Sequence, residues 1–280
     1  MRDVLEAALR AEKDDEKAAL VTVVGTEGST PQKAGARMLV YADGRIVGTI
    51  GGGCLEAEMI SRARLAIEGR KVKLTSYDLT PEQAGEDGLV CGGRMQVFIE
   101  PIEGTPVLCL FGAGHVAQPL ARMAHECGFR VEVADDRVKF ANEKRFPQAE
   151  RIVVDGFEQA AERMTLGRSS YAIVVTRGHR GDEEALEAVL RRDVRFVGLL
   201  GSRPKAVHIL SALAERGIPR ERLATVHTPL GLEIGAQTPD EIAISILAEM
   251  IAVRRGVDPA SRVSMKMNLP GRLKAAESGS

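Results

Sequence analysis

Two observations predict an α/β protein, with a doubly wound parallel sheet preceded by a smaller α+β domain. One is a complete β-α-β unit in the middle of the chain, and the other is the strand–helix alternation that follows it. The unit is VLCLFGAGHVAQPLARMAHECGFRVEVADDR, residues 107–137. Residues 107–111 are apolar and of strand length. Gly112-Ala113-Gly114-His115-Val116-Ala117 then makes a G-x-G-x-x-A turn, and helical spacing runs on to Gly128, a residue suited to ending a helix. Residues 130–134 form the next strand. Asp135 lies about twenty residues past the glycines, where an acid reaches a ribose hydroxyl. A bare glycine match would say little. Strand, turn, helix, strand and acid in this order specify a Rossmann-like, dinucleotide-binding type of unit.

The other elements follow from the same rules. Residues 4–20 have helical spacing and residues 20–26 strand character. Residues 38–41 and 45–50 flank Ala42-Asp43-Gly44, a hairpin signal. Residues 55–67 repeat with helical period and meet Gly69, and residues 72–77 and 95–101 alternate as strands. The breaker cluster Ile102-Glu103-Gly104-Thr105-Pro106 then divides the chain. Beyond it, strands are expected at 152–154, 171–176 and 195–200, and helices at 183–192 and 204–216. The last helix announces its start: Thr238-Pro239-Asp240-Glu241 puts Thr at N-cap, Pro at N1 and Glu at N3, ahead of the apolar stretch 242–253. The expected organisation is an α+β domain over 1–103, a Rossmann-like domain over 104–256, and a polar, partly disordered tail over 257–280.

Bulk properties exclude several classes. With 280 residues the chain holds one large domain or two ordinary ones, and its formal charge of −1 offers no footprint for nucleic acid or an anionic membrane. No apolar run is long enough to span a bilayer, and the first twenty residues mix charges with Leu and Ala, unlike a signal peptide. Cys54, Cys91, Cys109 and Cys127 follow neither zinc-finger nor disulfide-scaffold spacing, so a reduced, cytoplasmic protein is expected. Nothing resembles a nucleophile elbow or a metal-binding helix. A homodimer is the default only because closed symmetric dimers are common.

Three loops should meet at the carboxyl ends of the parallel strands, where ligands of such sheets bind. They are the turn with Gly112, Gly114 and His115; Thr176-Arg177-Gly178-His179-Arg180-Gly181-Asp182; and Gly201-Ser202-Arg203-Pro204-Lys205. Glycine N–H groups, helix N-termini and cations at one rim suit a phosphate-bearing ligand, although any single charged loop residue is more often simply solvated. A different signal lies earlier. Thr49-Ile50-Gly51-Gly52-Gly53-Cys54-Leu55-Glu56 crosses three glycines and opens a helix at a cysteine, where the positive end of the macrodipole favours thiolate. Cys91 also sits beside glycines, in Leu89-Val90-Cys91-Gly92-Gly93. Two soft donors in such loops could contact a metal such as molybdenum or relay sulfur, or could be small residues in tight turns. Cys109 and Cys127 read as small buried hydrophobes.

Taken together, these segments resemble the XdhC/CoxI family, accessory proteins of xanthine dehydrogenase and related molybdenum hydroxylases. The resemblance rests on Gly28-Ser29-Thr30-Pro31 with Gly35-Ala36-Arg37-Met38, on GTIGGGCLE at 48–56 and on VCGGRMQVFIEP at 90–101. It continues through the GAGHVA turn, Asp135-Asp136-Arg137, GLLGSRPK at 198–205 and PLGLEIGAQTPDEIAISILAEMIAVRRG at 229–256. It implies a chaperone that binds molybdenum cofactor (molybdopterin), protects it while its sulfido ligand is installed, and delivers it to an apo-hydroxylase, with a cysteine desulfurase as second partner. Under it, Cys54 and Cys91 become contacts for molybdenum or sulfur. Gly52, Gly53, Gly112, Gly114, His115, Asp135, His179, Gly201, Ser202 and Arg203 become the cofactor-binding set. The chain departs from the family pattern at Arg177, where a first histidine of Thr-His-x-His-x-x-Asp is expected, which leaves a two-histidine role without its first member.

The leading expectation is therefore a maturation factor without turnover of its own. The alternative is an NAD(P)-dependent oxidoreductase or a nucleotide-sensing module using the Rossmann-like domain, with Asp135 favouring NAD because it would repel a 2′-phosphate. Fold alone does not choose between them.

Overall fold

The computed structural model describes residues 2–79 and 93–259. Helix α1 (Arg2–Lys13) forms because Val4, Ala7, Ala8 and Ala11 recur on one face and are buried there. Spacing alone carries this helix to residue 20, but it ends at Lys13. Asp15 takes a left-handed conformation, φ 54°, which Asp tolerates better than most side chains, and the chain turns into strand β1 (Ala18–Glu27). Strands β2 (Arg37–Tyr41) and β3 (Ile46–Gly48) pair as the expected hairpin around Gly44, whose φ is 96°. After helix α2 (Gly53–Gly69) come β4 (Lys73–Asp78) and β5 (Arg94–Ile102).

These strands form an antiparallel sheet in the order β3-β2-β1-β5-β4. Alternation along the central strand β1 serves two helices. Ala19, Val21 and Val23 face Leu55, Met59, Ala63 and Ala66 of α2, while Ala18 and Leu20 join Val4, Ala7 and Ala11 of α1 on the other side. The sheet is thus covered on both faces.

The second sheet is parallel throughout, with order β11-β10-β9-β6-β7-β8. Its strands are β6 (Val107–Phe111), β7 (Arg130–Ala134), β8 (Arg151–Val153), β9 (Ser170–Val174), β10 (Phe196–Leu199) and β11 (Val226–His227). The first strand lies in the middle, and the chain runs outward from it first one way and then the other. That reversal between β6 and β9 is the switch point of a Rossmann-like sheet. One face is covered by α4 (Phe157–Arg163), α5 (His179–Leu190) and α6 (Arg203–Glu215), the other by α3 (Ala117–Glu126) and α8 (Pro239–Arg254). Short α7 (Arg220–Leu223) precedes β11. Among the described residues no helix is long and apolar enough to cross a membrane.

Polar contacts join the two domains. The Ser169 N–H donates to Asp15 Oδ2 at 2.8 Å, and the Thr105 hydroxyl donates to Glu12 Oε1 at 3.1 Å. Both contacts, and residues 103–106 that link the sheets, lie at the amino ends of the parallel strands. The N-terminal domain therefore sits below the second sheet, away from its carboxyl-end rim.

Candidate functional site

The rim assembles as the strand–turn–helix order requires. Gly112 has φ 110°, and a Cβ there would stand 2.5 Å from the carbonyl oxygen of Val175. Only glycine lets this turn close against the end of β9. A Cβ on Gly114 would meet nothing within 4 Å, so the tip of the turn is open. Gly178 and Ser202 cap α5 and α6 beside it, and His115, His179, Ser202 and Arg203 are all exposed. Gly201 leaves room for the Lys205 stem, whose Cδ would lie 2.9 Å from an added Cβ.

Asp135 is buried, and its carboxylate already has partners. It accepts the Ala113 N–H at 2.8 Å, and the Arg137 guanidinium at 2.7 and 2.9 Å. Burial works to raise its carboxyl, but the Arg137 side chain and the Ala113 N–H outweigh it and hold the group below the usual aspartate range. Asp135 thus braces the glycine turn. The neighbouring Asp136 is the more exposed acid, paired with Arg177 at 3.2 Å.

The rim is also less cationic than its sequence suggests. Arg177 is paired with Asp136, Arg180 with Glu184 at 3.0 Å, and Lys205 with the fully buried Asp182. Of the four cations expected there, only Arg203 makes no hydrogen bond or ion pair among the described residues. Asp182 also accepts the Thr176 hydroxyl at 2.7 Å and the Thr176 N–H at 3.2 Å, tying the β9 loop to α6 through Lys205. Sequence reasoning counted Lys205 as a phosphate cation. Its counter-ion is spaced along another helix and gives no local signal. His179 lies edge-on to His208, ring centroids 5.8 Å apart, a pairing visible only once α5 and α6 are packed side by side. His115 lines an open cleft of about 710 Å³ with Gln118, Arg122, Lys144 and Arg145.

The second candidate centre is the turn before α2. Gly51, Gly52 and Gly53 have φ of 138°, 78° and 61°, conformations that L side chains avoid. Cys54 is exposed in the first turn of the helix, and a Cβ on Gly52 or Gly53 would meet nothing within 4 Å. Glu56 folds back over this turn. It accepts the Thr49 hydroxyl at 2.5 Å and the Ile50 N–H at 3.1 Å. Burial works to raise the Glu56 carboxyl, but Thr49 and the backbone N–H groups of Gly52, Ile50 and Gly51 hold it below the usual glutamate range. A Cβ on Gly51 would strike the Pro31 ring at 2.6 Å, and one on Gly93 would strike the Ser29 carbonyl oxygen. Gly51 and Gly93 therefore both pack against the Ser29–Pro31 segment. Cys91 lies outside the described residues. Cys109 is fully buried, where desolvation pushes its thiol up, and Cys127 is half-buried.

The two centres do not meet within one chain. The far end of α2 points to the amino ends of the parallel strands, while the rim lies at their carboxyl ends. Among the described residues no hydrogen bond or ion pair joins the Cys54 turn to the rim, and no group of three or more His, Cys, Asp or Glu could hold a metal.

Comparison with known proteins agrees with this architecture. Residues 108–250 match the family model described as XdhC Rossmann domain, and residues 11–78 match the one described as XdhC and CoxI family. The chain is 37% identical to the Escherichia coli protein YqeB over 90% of its own length, but spans only 46% of that protein. It is 26% identical to a Bacillus subtilis protein named as a probable xanthine dehydrogenase component, over 88% of this chain and 96% of that one. It is 24% identical to the Escherichia coli molybdenum cofactor insertion chaperone PaoD, over 90% of this chain and 88% of that one. A Bacillus halodurans crystal structure described as a xanthine dehydrogenase shares the fold, with TM-score 0.50 and 24% identity, covering 92% of this chain and 98% of that one.

Proposed function

The chain belongs to the XdhC and CoxI family, and from that premise we propose that it is a molybdenum cofactor chaperone serving a xanthine dehydrogenase-type hydroxylase. The reading is carried by the likeness to a molybdenum cofactor insertion chaperone, which runs through both domains. The residues present suit such a group. The Cys54 thiol is a soft donor, exposed in a turn whose glycines leave the space above Gly52 and Gly53 free of side chains. Bound there, the cofactor would supply molybdenum and the sulfido ligand that the hydroxylase later uses.

The chain's own residues would then do three things. Cys54 and Cys91 hold molybdenum or sulfur through their thiolates. Gly51, Gly52 and Gly53 let the backbone approach the ligand, with Glu56 keeping the turn in shape. At the rim Gly112, whose own N–H is taken by the Ala134 carbonyl, lets the turn close, while Gly114, His115, His179, Gly201, Ser202 and Arg203 offer N–H groups and one unpaired cation to a phosphate-bearing ligand. Because rim and Cys54 turn are apart in one chain, we assign the molybdenum contact to the cysteines alone. The apo-hydroxylase and a cysteine desulfurase are the proposed partners, and the protein acts without turnover of its own. The NAD(P) oxidoreductase alternative loses its specific support, since Asp135 is engaged by Ala113 and Arg137.

The test is anaerobic purification from a host that makes molybdenum cofactor, with molybdenum and the fluorescent oxidised pterin assayed per chain. Stoichiometric cofactor in the wild type, lost in Cys54→Ala or Cys91→Ala, is the expected result. Cofactor retained in both variants moves the contact away from the cysteines. Its absence from every sample, with NAD(H) bound instead, overturns the chaperone reading.

A further inference from the structure

A cleft of about 510 Å³ opens between the two domains at the amino ends of β6, β9 and β10, the end opposite the rim. Seven cations line it against three carboxylates, in a chain whose formal charge is −1. Two of those carboxylates are already matched: Glu103 to Arg195 at 3.2 Å and Asp193 to Arg168 at 2.9 Å. Lys17, Arg70, Lys71 and Arg255 make no side-chain hydrogen bond or ion pair among the described residues, and Arg254 donates only to the neutral carbonyl of Cys127. Five cations thus face one unmatched carboxylate, Glu68.

Helix dipoles explain part of this, because α2 and α8 both end at the cleft and cations are favoured there. Two helix C-termini supply about half a negative charge each. That offsets roughly one cation and leaves an excess of about three.

Unsatisfied buried atoms point the same way. Arg195 is nine-tenths buried, yet its Nε has no partner; Arg254 Nε is likewise buried and unpaired. The hydroxyl of fully buried Tyr171 also lacks a hydrogen bond, and the Arg195 guanidinium lies over its ring, 5.9 Å from the centroid. Buried polar atoms in native proteins are nearly always paired. Three unpaired ones lie behind one cationic wall, which leaves that wall short of acceptors within the protein. The volume falls within the range of small-molecule sites, which favour domain boundaries.

We propose that this cleft binds a small ligand carrying a di- or triphosphate chain, gripped by Lys17, Arg70 and Lys71 from one domain and by Arg254 and Arg255 from the other. Because both walls contribute, the ligand bridges the domains. The site is separate from the rim and from the Cys54 turn.

Calorimetric titration of the full chain with magnesium-free ATP, tripolyphosphate and adenosine tests this. The expected result is saturable ATP binding, weakened about tenfold or more by Lys71→Glu with Arg255→Glu, and no adenosine binding. Both positions are exposed, so the double variant should fold, and its circular dichroism and melting curve check that it does. Tripolyphosphate binding as tightly as ATP would mean that the phosphate chain alone is recognised; tighter ATP binding would add the nucleoside. Binding that survives the double variant but is lost in Arg203→Glu would put the ligand on the rim and overturn the proposal. So would failure of both ATP and tripolyphosphate to bind.

Discussion

At the scale of single residues, side chains near the rim hold the scaffold more than they reach for ligand. Asp135 illustrates this. Its folded-state carboxyl lies below the ordinary value of 3.8, so its stabilisation is complete at neutral pH and is lost as pH falls through 3.8 and below. Asp135→Asn should therefore cost about 2 kcal/mol at pH 7, chiefly by removing the closer of the two carboxylates that Arg137 pairs with and leaving it the longer contact to Asp136 at 3.5 Å. Urea titrations at pH 7 and pH 3 check the sign: the gap between variant and wild type should shrink in acid. A gap unchanged with pH would mean that the carboxylate's charge is not what braces the turn. Spacing placed Asp135 at the end of β7 with no sign of its partner, because the hydrogen bond to Ala113 N–H depends on how the turn closes over the strand. The same limit applied to Asp182, whose ion pair with Lys205 crosses from α5 to α6.

Among elements, legibility tracked length and punctuation. The helix with a written start is the clearest case. Thr238 accepts the Glu241 N–H, and Glu241 accepts the Thr238 N–H in return, completing the capping box expected from Thr-Pro-Asp-Glu. Thr238→Ala should destabilise the protein by about 1 kcal/mol, measured by thermal or urea melts, with Thr238→Ser close to wild type. If serine costs as much as alanine, the methyl group and not the cap is responsible. Elements without such signals were missed or misjudged. Helix α4 is only seven residues long and α7 four, too short for a period to show. Helix α1 looked longer than it is because Ala18, Ala19 and Leu20 suit helix and strand alike. Only the left-handed Asp15 decides between them.

For the whole molecule, the order of the two domains and the winding of the second sheet were readable from alternation, but how the domains are joined was not. The joint is made by single polar groups, Glu12, Asp15 and Glu103, and isolated contacts leave no periodic trace in a sequence. That is why the separation of the Cys54 turn from the rim emerged only from the structure. Asp15→Ala should speed hydrogen exchange at the Ser169 amide by about tenfold or more while leaving strand β6 protected. Equal protection in variant and wild type would mean that the joint does not depend on this bond. Helix α2 runs from the glycine turn to this joint, unbroken over 17 residues, about 25 Å, with Cys54 in its first turn and Arg70 and Lys71 just beyond its last. The thiol and the near wall of the interdomain cleft therefore move as one body. A spin label on Cys54, read against a second label in the C-terminal domain, would report the width of that cleft from a distance, with neither wall altered.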